Sequence, residues 1–398
     1  MSILLPSTQG PVHEVFELDR ITLFHLRPRL QFPFKTSFGV QRERDTILVV
    51  MHTRDGMVGV GEAPTLSQPI FDEYYMLGEY DALQRFFLPV IRDQLGGRIV
   101  SFDAMWKTLQ VFKGHSFAKC GLDAAYWHLV SQQTGQSLAA LWGGQQGRVP
   151  AGFSIGGHDL TDVLERAEKA VEAGFMRLKI KVWPGFEKQV MAALRERYPA
   201  VMLQVDANCA YDPFDPHHRA ALLALDMFDL LLIEQPFARN DLFDHARFQA
   251  ENDLRTPITL DESIRSLDDA RRAIEIWRHF GIGDRLIINI KPGRVGGYWE
   301  SRLIADLCAQ ESIACWIGGM LELGPGKWMN IALASHPACT LPGDHLQPQP
   351  YYEQDIADPV PTLVQDGMIP VPSAGLGCIV DWGSVERLTI HRYDVAMG

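Results

Sequence analysis

The chain has 398 residues, 46% of them hydrophobic, and a formal charge of −12. That length exceeds one ordinary core and predicts either two domains or a barrel with additions. The acidic balance, without any dense lysine or arginine run, argues against a nucleic-acid or anionic membrane surface and leaves a small molecule as the expected partner.

Residues 1–16 read as a loose N-terminal extension. From Arg20 to Ala63 the pattern is strand-like, and Asp55-Gly56 between two apolar runs signals a hairpin. Residues 72–134 carry helical periodicity, so 17–148 is predicted to be an α+β domain. From Val149 short apolar runs alternate with amphipathic stretches, the pattern of βαβ units. Strands are expected at 151–155, 175–182, 201–206, 230–234, 257–261, 285–290 and 313–318, with a weaker one near 339–342. So many units in one run favour a barrel over 149–350 rather than a doubly wound sheet. The proline-bearing tail, 351–398, is expected to pack back on the N-terminal domain. The six cysteines form no Cys-x-x-Cys pair, the start has no basic n-region, and no apolar stretch is long enough to span a bilayer. These features predict a cytoplasmic protein without a zinc ribbon or disulfide framework.

Five charged motifs recur at strand ends roughly one βα unit apart. They are Lys179-Ile180-Lys181, Asp206-Ala207-Asn208, Glu234-Gln235-Pro236, Asp261-Glu262-Ser263 and Lys291-Pro292-Gly293. In a barrel such ends converge on one site, which makes Asp206, Glu234 and Asp261 neighbouring carboxylates. Left alone they would repel, and a bound cation is the natural way to keep them ionised. Hard oxygen ligands suit Mg²⁺, or Mn²⁺, over zinc. Lys181 and Lys291, four strands apart, would face two sides of one substrate. Lys179, on the same strand face as Lys181, would help to pull that lysine toward a general base. A metal clamping a carboxylate while lysine removes the α-proton would stabilise an enediolate.

Around this centre, Asn208 is expected to support the metal or substrate, and Glu262 to point elsewhere, for instance toward a lysine. Glu322, in the glycine-dense Gly318–Gly326 loop, reads either as a substrate contact or as part of a flexible loop. Arg294 either pairs with a substrate carboxylate or is a surface arginine. Phe34–Gly39, with Ser37 and Phe38, is either hairpin packing or a loop closing over the barrel mouth. No Walker or dinucleotide pattern is present.

These residues resemble the enolase superfamily, in its muconate-lactonizing branch, and within it the o-succinylbenzoate synthase / N-succinylamino acid racemase group. The resemblance runs from about residue 20 and is carried by Pro33–Gly39, Phe112–His115, Lys179–Lys181, Gln204–Asn208, Leu232–Pro236, Leu260–Ile264, Asn289–Gly297 and Gly318–Met320. It implies an α+β capping domain over a modified TIM barrel, (β/α)₇β. It further implies Mg²⁺ on Asp206, Glu234 and Asp261, acid/base lysines at 181 and 291, and substrate contacts from the loop holding Gly319 and Met320. Closure over a small-molecule carboxylate by Phe34–Gly39 and the segment around Leu66 is implied too, as is a homo-oligomer, dimer or octamer.

The implied reactions are dehydration of a cyclohexadiene carboxylate on the route to menaquinone, a lyase step, and racemisation of N-succinylamino acids. Arg294 matches an arginine of the racemising members. Leu323 and Lys327 depart from the usual threonine and arginine, and the Trp277–Asp284 linker reads as long. Dipeptide epimerase and muconate cycloisomerase are the alternatives within the branch. The absence of Asp-x-Asp in Leu341–His345 weakens the first. A catalytically silent barrel used for binding would be expected to lose a metal carboxylate or a lysine, and none is lost.

Overall fold

In a computed structural model of the chain, residues 14–36, 39–157, 159–345 and 351–398 are described. Ser37 and Phe38, expected in the loop over the barrel mouth, lie outside them. The N-terminal domain opens with β1 (Phe16–Leu26), the hairpin β2 (Arg29–Thr36) and β3 (Gly39–Glu43), then β4 (Thr46–Thr53) and β5 (Val58–Ala63). β1, β4 and β5 form an antiparallel sheet against helix α1 (Ser116–Thr134). The helix lies close because Gly59 and Gly61 on β5 have no side chain. A Cβ at Gly61 would stand 2.2 Å from the Gly121 carbonyl oxygen, and one at Gly59 2.3 Å from that of Ala125.

The barrel strands are β6 (Gly152–Ile155), β7 (Arg177–Lys181), β8 (Met202–Asp206), β9 (Leu232–Glu234), β10 (Ile258–Leu260), β11 (Leu286–Ile290) and β12 (Ala314–Ile317). They form one parallel 7-stranded sheet in sequence order. With helices outside and side chains filling the inside, both faces are covered, which is why β11 reads Leu-Ile-Ile-Asn-Ile and is buried throughout. Helices α2 (Leu160–Glu172), α3 (Pro216–Ala224), α4 (Leu242–Glu251) and α5 (Leu267–His279) start on Asp159, Asp215, Asp241 and Ser266, whose side chains accept first-turn amide hydrogens.

The weak eighth strand is not a continuous ladder. Single parallel bridges, Cys315 to Cys339 and Ala151 to Gly343, join residues 339–343 to the two ends of the sheet. The Trp277–Asp284 segment is also not a plain linker. Its start is the last turn of α5, where Trp277 is buried and donates from Nε1 to Gln249 Oε1 at 2.8 Å. The chain ends in β13 (Thr389–Ala396), which pairs with β1 from Arg20↔Ala396 to Leu26↔Thr389.

Where the cap meets the barrel, Glu62 of β5 accepts from Thr46 Oγ1 (2.8 Å) and from the amide of Leu323 (2.9 Å), which opens helix α6 (Gly324–Ala334). Burial, reinforced by nearby Glu322, pushes the Glu62 carboxyl up to about 8. An acid whose folded pKa exceeds its unfolded value binds more protons folded than unfolded between those two values, so stability falls as pH rises through that window. Thermal melts of the wild type should therefore lose stability between about pH 5 and about pH 8. Glu62→Gln, whose carbonyl accepts the Leu323 amide while its NH2 donates to Thr46 Oγ1 and the Thr46 hydroxyl turns to the Ala63 carbonyl, should flatten that loss. Parallel profiles for the two proteins would reject the assignment.

Candidate active site

Each charged motif sits at the C-terminal end of a barrel strand or one residue beyond it, at the face where barrel loops gather. Lys181 ends β7 and donates to Asp206 Oδ2 at 2.6 Å and to Asn208 Oδ1 at 2.8 Å. Asp206 ends β8 in register with both Lys181 and Glu234. Burial pushes its carboxyl up, but Lys181 and Lys179 outweigh this and hold it below the ordinary range. Glu234 ends β9 and accepts from Gln204 (2.7 Å) and Asn289 (2.8 Å). Asp261, just past β10, accepts from Lys291 Nζ at 2.8 Å.

Lys181 and Lys291 line one cavity of about 730 Å³, mouth included, with Lys179, Asn208, Ser154, Gly319, Met320 and Asp344. Phe71 of the capping domain covers Lys291, with the ammonium 4.8 Å from the ring centroid. The next residues fasten this segment to the barrel: Glu73 pairs with Arg239 at 2.6 Å, and Asp72 with the same guanidinium at 3.6 Å.

Several expectations are corrected. Lys179 does not spend its charge on Lys181. Its ammonium sits among Asp206 (3.3 Å), Glu234 (3.2 Å) and Asp344, which outweigh burial and hold it above the ordinary lysine value. Arg294 neither meets the cavity nor lies on the surface. The short Pro292–Val295 turn folds it beneath the site, where it donates to Asp261, to the Ile264 carbonyl (2.7 Å) and to the Asn289 carbonyl (2.7 Å). Glu262 accepts from Asn208 Nδ2 at 3.0 Å rather than pairing with a lysine. Glu322 is turned back into its own loop, accepting the Met320 amide at 2.9 Å, which shapes the wall that Gly319 and Met320 present. Leu323 and Lys327 do not line the cavity. Leu323 is fully buried, and Lys327 reaches Asp355 (3.5 Å) over the rings of Tyr351 and Tyr352.

Sequence reasoning missed Asp344, which pairs with Arg177 (2.7 Å) and Lys179 and is held well below the carboxylate range by both cations against its burial. Arg177 and Lys179, alternate residues of one inward strand face, were the available sign that a further buried carboxylate was needed. Gln204 and Asn289, the amides that hold Glu234, were missed as well, as was Ser154 on β6.

Among the described residues, no set of three His, Cys, Asp or Glu side chains converges as an ion cradle. In this arrangement Asp206 leans on Lys181, Glu234 on Lys179 and two amides, and Asp261 on Lys291 and Arg294. The donor chemistry still fits a divalent cation. Three buried carboxylates end three adjacent strands, and Glu262 beside them leaves its buried Oε2 without a partner. Burial and Asp206 push the Glu262 carboxyl up, a sign of surplus negative charge.

A parallel-strand barrel under an α+β cap, with lysines and carboxylates on successive strand ends, defines a capped barrel protein with a buried acid–base cluster at the mouth. The Mandelate racemase / muconate lactonizing enzyme N-terminal domain matches residues 20–143, and the Enolase C-terminal domain-like family matches 162–384. The chain belongs to the enolase superfamily, whose members typically use a divalent metal and act on small molecules. It is 40% identical over 374 residues to an o-succinylbenzoate synthase of Geobacillus stearothermophilus, covering 94% of this chain and 96% of that one. An N-succinylamino acid racemase of Thermus thermophilus is 38% identical over 367 residues, covering 92% and 95%. Among solved structures, an enolase-superfamily member from Listeria innocua superposes with a TM-score of 0.87 at 30% identity, covering 96% of this chain and all of that one. No helix among the described residues is long and apolar enough to cross a membrane.

Proposed function

We propose that this chain removes the proton α to a carboxylate with the help of a divalent cation, acting as an o-succinylbenzoate synthase, an N-succinylamino acid racemase or both. The observation that carries this reading is the placement of Lys181 and Lys291 in one cavity on strands four apart, each bonded to a carboxylate at the foot of the site. The relatives above supply the substrate class. For racemisation, neutral Lys181 takes the α-proton from one face while the Lys291 ammonium delivers a proton to the other. For dehydration, Lys181 takes the proton and returns it to the departing hydroxyl, which leaves as water, and the Lys291 charge stands beside the enediolate. Asn208 holds Lys181 in place from the next strand. Phe71 shields Lys291 from water.

Asp206, Glu234 and Asp261 would hold Mg²⁺, or Mn²⁺, which supplies positive charge beside the substrate carboxylate and so acidifies the α C–H. Dialysis against a chelator is expected to abolish turnover, and added Mg²⁺ to restore it. Full turnover of metal-free protein would sink the carboxylate assignment. The reading itself is tested by incubating the wild type with N-succinyl amino acids in deuterated water and, separately, with the synthase substrate. Neither Cα deuteration nor dehydration would reject it. A dipeptide substrate is disfavoured because Leu341–His345 lacks the Asp-x-Asp expected to hold a dipeptide's ammonium, and its one carboxylate, Asp344, is taken by Arg177 and Lys179. We read the chain as a cytoplasmic homo-oligomer, dimer or octamer, and its six free cysteines suit a reducing compartment.

A further inference from the structure

Arg44 lies between β3 and β4, and its side chain forms part of the cavity wall from the capping domain. It is 1% exposed. Its backbone amide is fixed by the Pro28 carbonyl (3.0 Å), and its Nη2 by the Pro64 carbonyl (2.8 Å). Nε and Nη1 have no hydrogen-bond partner among the described residues. Nor does any described carboxylate stand within ion-pair distance. Its chain neighbour Asp45 is committed to His25 (2.6 Å) and Arg27 (2.8 Å), and Glu62 gives its oxygens to Thr46 and the Leu323 amide. A guanidinium always carries its charge, so burying one with idle donors is costly unless an anion completes it.

The same cavity holds Lys181, Lys291 and Asn208 at the strand ends, and Leu66, Ile70 and Met320 contribute apolar wall. A ligand that satisfies both charged regions carries two anionic groups joined by a short, largely apolar spacer. The two relatives act, by their names, on different cores that share one substituent, a succinyl group, which ends in a carboxylate. We propose that Arg44 binds the distal carboxylate of the succinyl substituent and thereby selects succinylated substrates. The assignment rests on the reading above for the identity of that substituent. Arg44 is a specificity residue here, remote from the proton transfer.

The test compares N-succinylglycine with its terminal amide, an isostere lacking only the distal charge, by calorimetric titration into the Mg²⁺-loaded full chain. Wild type should prefer the acid about ten-fold or more, the range of a hydrogen bond to a charged group. Arg44→Met should bring the two ligands within about two-fold of each other, mainly by weakening the acid. Arg44→Lys, which keeps the charge and loses the fork, should retain part of the preference. No preference in the wild type, or equal weakening of both ligands in Arg44→Met, would overturn the proposal. Because the readout is binding, it is independent of turnover. A wild type that prefers the acid, with that preference lost in Arg44→Met, yet exchanges no α-proton supports Arg44 as the anion site and rejects the catalytic reading.

Discussion

Replacing Lys181 with alanine is expected to stop net interconversion of N-succinyl amino acid enantiomers, lowering it by about three orders of magnitude or more. The reason is that two bases stand on two faces of the substrate. Interconversion needs a proton removed on one side of Cα and delivered on the other, so loss of either lysine breaks the relay. Deuterium exchange at Cα should behave differently. In Lys181→Ala, the enantiomer whose proton faces Lys291 can still lose it and regain deuterium from that same lysine, exchanging without inversion. Lys291→Ala should show the mirror pattern with the opposite enantiomer. Chiral chromatography and mass spectrometry of one reaction mixture separate the two quantities. Native-rate racemisation by Lys181→Ala would remove Lys181 from its role.

Lys179→Met is expected to destabilise the protein by about 3–5 kcal/mol, the range for stripping one partner from a buried ion pair. Lys179 is the cation shared by Asp206, Glu234 and Asp344; the first two are buried, and the Asp344 side chain is 8% exposed. Without it Asp344 retains Arg177 and Asp206 retains Lys181, but Glu234 keeps only the amides of Gln204 and Asn289. Urea unfolding of the variant beside the wild type measures the loss. An exposed pair such as Arg197 with Glu168 offers the control, since solvent screens it and its removal should cost little. If Lys179→Met unfolds at the same urea concentration as the control variant, the lysine does not hold the cluster together.

What the sequence reveals of this site depends on how local the information is. Lys181, Asp206, Glu234, Asp261 and Lys291 could be found because each follows an apolar run that must be a strand, and barrel geometry then gathers strand ends regardless of the rest of the chain. Their partners could not. Asp344 comes from the bridging segment that closes the barrel, far along the chain from Lys179, and the segment's two isolated bridges leave almost no strand pattern to read. Arg294 was misplaced for another reason. The sequence offers a substrate contact or the surface for it, but the proline-led turn rotates the chain at that point, and the guanidinium ends beneath Asp261. Arg44 carried no signal at all, because an arginine before a strand looks the same whether its donors are satisfied or idle. The cap was legible in outline through the Asp55-Gly56 hairpin, whereas the glycine contact between β5 and α1 is visible only once the helix is in place.

The pairing of β13 with β1 sets an order of events during synthesis. β1 is translated long before its partner, so until Thr389–Ala396 emerges from the ribosome the first sheet has an open edge along a strand whose residues from Ile21 to Leu26 are buried in the finished fold. The cap therefore cannot be completed before the barrel it covers has been made, although most of its residues are translated first. A nascent chain arrested just before Thr389 should present that edge to chaperones or to other copies of itself, and adding the missing strand as a peptide should relieve the exposure.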